Sequence, residues 1–147
     1  MFNYVEQVNK LSFLFIVIIS LNSCKVKTTN QTVNNKREGL WTESYAIDSA
    51  HYKSIGTYKK DDLIKKWCYY LNEKLIKKER YHDTYCKTKF FHQNRKPQAK
   101  GKTRLDQNEK EIHWYYSGIW KFYNSEGKLT STRTYKNGDL ITETVKK

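Results

Sequence analysis

One proline and six glycines in 147 residues give this chain little of the usual punctuation of loops and turns. The arrangements that carry chemistry are missing too. There is no Gly-x-Ser-x-Gly elbow, no glycine-rich loop to cradle phosphate and no His-Glu-x-x-His pair. His51, His82, His92 and His113 stand at no fixed offset from one another, so each reads as a surface or strand residue. The three cysteines include no Cys-x-x-Cys, and zinc sites usually show such close pairs. Cys68, His82 and Cys86 therefore make a poor ligand set, and no metal, cofactor or enzyme activity is expected. Carboxylates are scarce, 15 against 28 lysines and arginines, for a net charge of +13. Such an excess attracts polyanions and acidic faces. The plainer alternative is that lysines keep an exposed sheet soluble and block edge pairing.

Long apolar runs are lacking as well. Leu11 to Leu21, broken by Ser12 and Ser20, is too short to span a bilayer but fits the core of a signal peptide. Leu21-Asn22-Ser23-Cys24 then resembles a lipobox, where bacterial lipoproteins are cleaved and the new N-terminal cysteine is acylated. The chain thus divides into a signal peptide (1–23), a polar tether (24–37) and one domain (38–145). Taking 23 residues from 147 leaves 124, enough for one domain. The expected location is the bacterial cell envelope, lipid-anchored through Cys24, with the choice of membrane open. In the periplasm nucleic acid is a poor target; anionic lipid head groups or acidic protein faces fit better. With Cys24 lipidated, Cys68 and Cys86 form an even pair in an oxidising compartment. A disulfide is the preferred reading, with two separate buried thiols as the alternative.

What is abundant is aromatic. Past residue 23 there are 4 Trp, 11 Tyr and 3 Phe. The clearest unit is 118–141, GIWKFYNSEGKLTSTRTYKNGDLI. Trp120-Lys121-Phe122-Tyr123 suits a pleated, half-buried surface, and Asn124-Ser125-Glu126-Gly127 suits a turn. In the return strand Leu129, Ser131, Arg133 and Tyr135 share one face. Asn137-Gly138 is a strong type I′ hairpin signal. Fainter copies lie upstream. Tyr58-Lys59-Lys60-Asp61-Asp62-Leu63-Ile64 matches Tyr135 to Ile141 at five of seven positions. Trp67-Cys68-Tyr69-Tyr70 answers Trp120 to Tyr123, Lys74-Leu75 answers Lys128-Leu129, and Tyr81 answers Tyr135. Gly39-Leu40-Trp41 mirrors Gly118-Ile119-Trp120, and Lys89-Phe90-Phe91 mirrors Lys121-Phe122-Tyr123. By this alignment Asp61-Asp62 is a turn, not a catalytic dyad. A repeat of about 23 to 30 residues signals a stacked array.

The pattern Gly-x-Trp-x-x-Tyr, a turn, Lys-Leu, then Tyr-x-Asn-Gly-x-Leu resembles the MORN-repeat variant family, which includes bacterial proteins labelled YwqK-type antitoxins. The resemblance covers about residues 37–143. It implies a sheet of successive antiparallel hairpins and a binding role, and it carries over no catalytic residues.

The fold expected is all-β, a repetitive antiparallel hairpin sheet, with a short helix possible around 61–78. There Leu63, Trp67, Leu71 and Leu75 are four apart, which also fits an amphipathic helix. Strands are preferred because the local pattern lines up with 118–141, and they place a reversal at Asn72-Glu73. Loops are expected at 46–51 and 106–111. Trp41, Trp67 and Trp120, with Tyr58, Tyr81 and Tyr135, are the repeat aromatics. Tyr70 and Tyr123 fall on the opposite strand face from Trp67 and Trp120. Together with Lys121 they suggest an aromatic and basic binding face. The function expected is a non-enzymatic envelope protein binding a protein or an anionic envelope component. The alternatives are an antitoxin or immunity protein, and a small envelope hydrolase, which would need a cleft.

Overall fold

The computed structural model describes residues 28–108 and 111–146. They form ten strands: β1 (Gln31–Val33), β2 (Lys36–Ile47), β3 (Ala50–Lys59), β4 (Asp62–Leu71), β5 (Lys74–Tyr81), β6 (Cys86–Phe91), β7 (Pro97–Asn108), β8 (Glu111–Tyr123), β9 (Leu129–Lys136) and β10 (Asp139–Val145). Each pairs antiparallel with the next, in the order β1 to β10, as one sheet of consecutive hairpins. No helix occurs among the described residues.

Turns with few glycines need other residues that accept positive φ. Asn34-Asn35 (50° and 60°), Lys60-Asp61 (52° and 74°), Asn72-Glu73 (46° and 64°) and Asn137-Gly138 (52° and 92°) all supply it at both positions, as a type I′ turn requires. The Lys60-Asp61 turn is fastened from β2. Arg37 donates from its backbone N–H and from Nε to Asp61 Oδ1, each at 2.9 Å. The guanidinium beside it holds the Asp61 carboxyl below its ordinary range, the backbone hydrogen bond contributing most. Asp61 is thus a turn residue. Pro97 opens β7 opposite Phe91 at a register shift, where a missing N–H breaks no ladder.

A single layer buries little, yet Trp67 and Trp120 are 1% and 0% exposed. A local device repeated along the chain explains this. Two residues before each tryptophan the backbone takes positive φ: Gly39 (75°) before Trp41, Lys65 (58°) before Trp67 and Gly118 (67°) before Trp120. Register shifts accompany the two later sites. They turn each indole back along the sheet, onto a glycine of the preceding strand. Trp67 covers Gly56 and Trp120 covers Gly101, and a Cβ at either glycine would overlap the ring. The indole N–H groups donate to Thr57 O at 3.2 Å and Lys102 O at 2.9 Å. Trp41 Nε1 donates to Glu38 O at 3.0 Å.

Tyrosines on neighbouring strands complete the layer. Gly39 pairs with Tyr58 and Gly118 with Tyr135, the same register twice. Tyr58 packs on Trp41 and Trp67 (5.7 and 4.8 Å between centroids), Trp67 on Tyr69 (6.3 Å), and Tyr116 on Trp120 and Tyr135 (3.9 and 5.2 Å). Tyr81 meets Trp114 edge-on at 5.6 Å. All of these lie on one face, here the aromatic face.

Several expectations are met. Residues 61–78 are strands with the reversal at Asn72-Glu73, and Trp67 and Tyr69 share a face. Others need correction. The 24–37 stretch is not all tether, because Gln31–Val33 pairs with Lys36 to Glu38 through the Asn34-Asn35 turn. The sheet therefore starts before residue 38. The 46–51 loop shrinks to Asp48-Ser49, and strand structure runs through Asn108 and resumes at Glu111. Cys24 and the 1–23 leader lie outside the described residues. The Cys68–Cys86 bridge is also wrong, since both thiols are free. β4 and β6 are separated by β5, so the two sites are about 10 Å apart, past the roughly 7 Å limit for bridging. Moreover, Cys68 aligns with Lys78 and Cys86 with Tyr81, which point to opposite faces.

Two predictions arise here. Lys65 is the one non-glycine at the three pre-tryptophan positions. A left-handed non-glycine residue costs about 1–2 kcal/mol, and glycine's greater unfolded freedom costs about 0.5–1. Lys65→Gly is therefore expected to stabilise by about 0.5 kcal/mol in urea unfolding; a loss of stability would refute the assignment. Secondly, Cys86 is 1% exposed and its thiol is pushed up to about 11, chiefly by burial. Alkylation of the folded protein should be slow at both cysteines. In denaturant without reductant both should react fully, and any need for reductant would restore the disulfide.

Candidate binding face

The face opposite the aromatics is built by spacing of two. Lys78-Glu79-Arg80, Lys87-Thr88-Lys89 and Lys100-Gly101-Lys102 lie on β5, β6 and β7, and alternate residues in a strand share a face. The register then sets these cations side by side. Lys66 pairs with Arg80, Arg80 with Lys87 and Lys87 with Lys102, crossing four strands. Lys78 pairs with Lys89, Lys89 with Lys100 and Lys100 with Lys121, again crossing four. Two ladders result, each with steps of about 4.8 Å and about 14 Å long, lying roughly 7 Å apart.

Between the ladders the side chains of Glu79, Thr88 and Gly101's row point away. Thr88 pairs with Glu79 and with Gly101, and Thr88 is buried on the aromatic face. The floor between the cations is therefore bare backbone. The hollow holds about 570 Å³, with Ile119 at one end. Glu79 is the one acid along it, and its carboxylate is taken on the far face by Lys77 Nζ at 3.1 Å and by the Tyr81 hydroxyl, which donates at 2.9 Å. Burial there holds the Tyr69 and Tyr81 phenols well above their ordinary range. Among the described residues none of the eight ladder cations is ion-paired. Like charges set directly opposite one another destabilise a sheet, and there are six such pairs.

Aromatic rings flank the ladders and hold the ammonium groups. Phe91 carries Lys78 and Lys89 at 5.5 and 5.1 Å, Tyr123 carries Lys100 at 5.1 Å, and Tyr85 carries Lys102 at 5.0 Å. Each contact is attractive and restrains a side chain that would otherwise sweep freely.

Of the residues singled out by sequence, Tyr123 and exposed Lys121 stand at this site, while Tyr70 shares the face but sits beside Cys68 and Lys53. Trp41, Trp67, Trp120, Tyr58, Tyr81 and Tyr135 belong to the packed aromatic face. The ladders themselves, with Phe91 and Tyr85, were not picked out. The signal was present in the three Lys-x-Lys or Lys-x-Arg pairs.

A second hollow of about 590 Å³ lies between Leu63, Tyr81, Leu105 and Trp114, rimmed by Asp61, Asp62, Asp83 and His82. Asp61 there is already committed to Arg37. Among the described residues no group of three histidines, cysteines or carboxylates is placed to hold a metal. No protein-family model, curated protein or solved structure matches this chain.

Proposed function

We propose that this chain is a non-catalytic binding protein of the bacterial envelope, lipid-anchored at Cys24, that engages an anionic partner through the lysine-laddered face. The observation that carries the reading is the pair of cation ladders. Eight positive groups without ion-pair partners are held side by side at a cost to the sheet, and the neighbouring rings restrain four of them. Mere solubility needs no such register. The anchor rests on the apolar run ending at Cys24, and it fits a first strand that begins at Gln31. The linker from Lys25 to Asn30 is six residues, at most about 20 Å of reach. That keeps the sheet close to the membrane surface.

Two experiments test this. Envelope fractions are passed over immobilised protein and over the quadruple variant Lys78→Gln, Lys89→Gln, Lys100→Gln, Lys121→Gln. An anionic component retained by the first and lost by the second is the expected result. Equal retention by both would remove the ladders from the account. Labelled palmitate should enter the wild-type protein in its native host and not Cys24→Ala; no incorporation into wild type would end the anchor reading.

A further inference from the structure

Resting on that reading, we infer that the partner is a single linear acidic glycan, carrying one carboxylate per sugar, laid across the strands between the two ladders. The shape of the site selects a chain. Two rails about 7 Å apart, over a floor of bare backbone, admit one extended polymer. A flat bilayer would meet only the lysine tips and would gain nothing from their register. The charge spacing selects the polymer. Cations repeat at each strand, about every 4.8 Å, a step of the same order as one sugar ring in an extended chain. A polymer with one charge per sugar can therefore meet successive rungs.

The rings argue against nucleic acid. Single strands are held by bases stacking on free aromatic faces. On this face Phe91, Tyr123 and Tyr85 already carry ammonium groups from Lys78, Lys89, Lys100 and Lys102. They serve to position charge, so recognition falls to the spacing of the anions. Binding of this kind is multivalent: each added sugar meets its rung at high effective concentration. Affinity should rise with length until the ladders, about 14 Å long, are filled, and then level off.

The test titrates the protein with oligogalacturonates of two to eight residues, by calorimetry at low salt. Parallel titrations use fully methyl-esterified hexamer, the oligonucleotide (dT)6 and vesicles containing phosphatidylglycerol. The hexamer is expected to bind at least about tenfold tighter than the dimer, and the neutral ester not at all. The quadruple Lys→Gln variant should lose about 100-fold or more, consistent with several exposed ion pairs of up to about 1 kcal/mol each. Equal affinity for dimer and hexamer would overturn the inference, and so would (dT)6 binding as tightly as the hexamer. Binding to vesicles alone would overturn it too, while leaving an anionic partner in place. If none of these anions binds wild type, the function proposed above falls with it.

Discussion

Gly101→Ala is expected to cost about 3 kcal/mol, a large share of what a sheet of this size has to lose. The strand-forming tendency of alanine would by itself predict the opposite, a gain of about 0.5–1 kcal/mol over glycine. The clash decides the sign. A Cβ at position 101 would enter the Trp120 ring, and that ring is fully buried between Tyr116 and Phe122, with its N–H tied to Lys102 O. It has nowhere to move. Trp120→Ala alone should also be costly, about 3–5 kcal/mol. The double variant separates the two effects. With the indole gone, Gly101→Ala should become neutral or stabilising, so the substitutions couple by about 3 kcal/mol or more. Equal costs for Gly101→Ala in both backgrounds would show that Trp120 does not rest on this glycine. Gly56 and Trp67 offer the same cycle at the other copy of the device.

The second large effect is a separation of stability from binding on the lysine face. In the quadruple variant Lys78→Gln, Lys89→Gln, Lys100→Gln, Lys121→Gln, one whole ladder is neutral and three directly opposed like-charge pairs are gone. Each such pair is worth a few tenths of a kcal/mol. Stability at low salt should therefore hold or rise by about 0.5–1 kcal/mol, and the gain should shrink as salt screens the wild type. The glutamine stems keep much of the contact with Phe91. Anion affinity should fall by about 100-fold in the same variant. A variant that binds as before, or that unfolds, would mean the lysines serve the fold.

How much of this was legible depends on what each inference needed. The turns could be read, because Asn, Asp and Gly announce positive φ whatever surrounds them. Asn137-Gly138 showed where to look for Lys60-Asp61. The strand assignment of 61–78 followed from that alignment and not from periodicity, since Leu63, Trp67 and Leu71 share a face on a helix and on a strand alike. The Gln31–Val33 strand was missed because it buries nothing; only Asn34-Asn35 marked it. The disulfide failed on parity. Cys68 and Cys86 are an even number of residues apart, but the turns and the register shift at Tyr69/Tyr70 between them put their side chains on opposite faces. Bulges of this kind depend on backbone at positions such as Lys65, whose residue type gives no warning.

The binding face was half legible for a similar reason. Tyr123 and Lys121 could be placed by counting from Trp120 within one strand. The ladders needed register across five strands, and single-strand alternation shows only their rungs. Lys-x-Arg at 78–80 and Lys-x-Lys at 87–89 and 100–102 are three rungs of two. Their direct opposition comes from hairpin turns that happen to keep the pairs level.

The most direct test of the two-faced account is a carbon–proton correlation spectrum of the lysine ε-methylenes, followed during titration with hexagalacturonate. Lys66, Lys78, Lys87, Lys89, Lys100, Lys102 and Lys121 should shift together and saturate at one equivalent. Lys77, paired with Glu79 on the aromatic face, should stay where it is. Shifts spread evenly over all lysines, Lys77 included, would contradict the account and reduce the charge of this protein to a solvated coat.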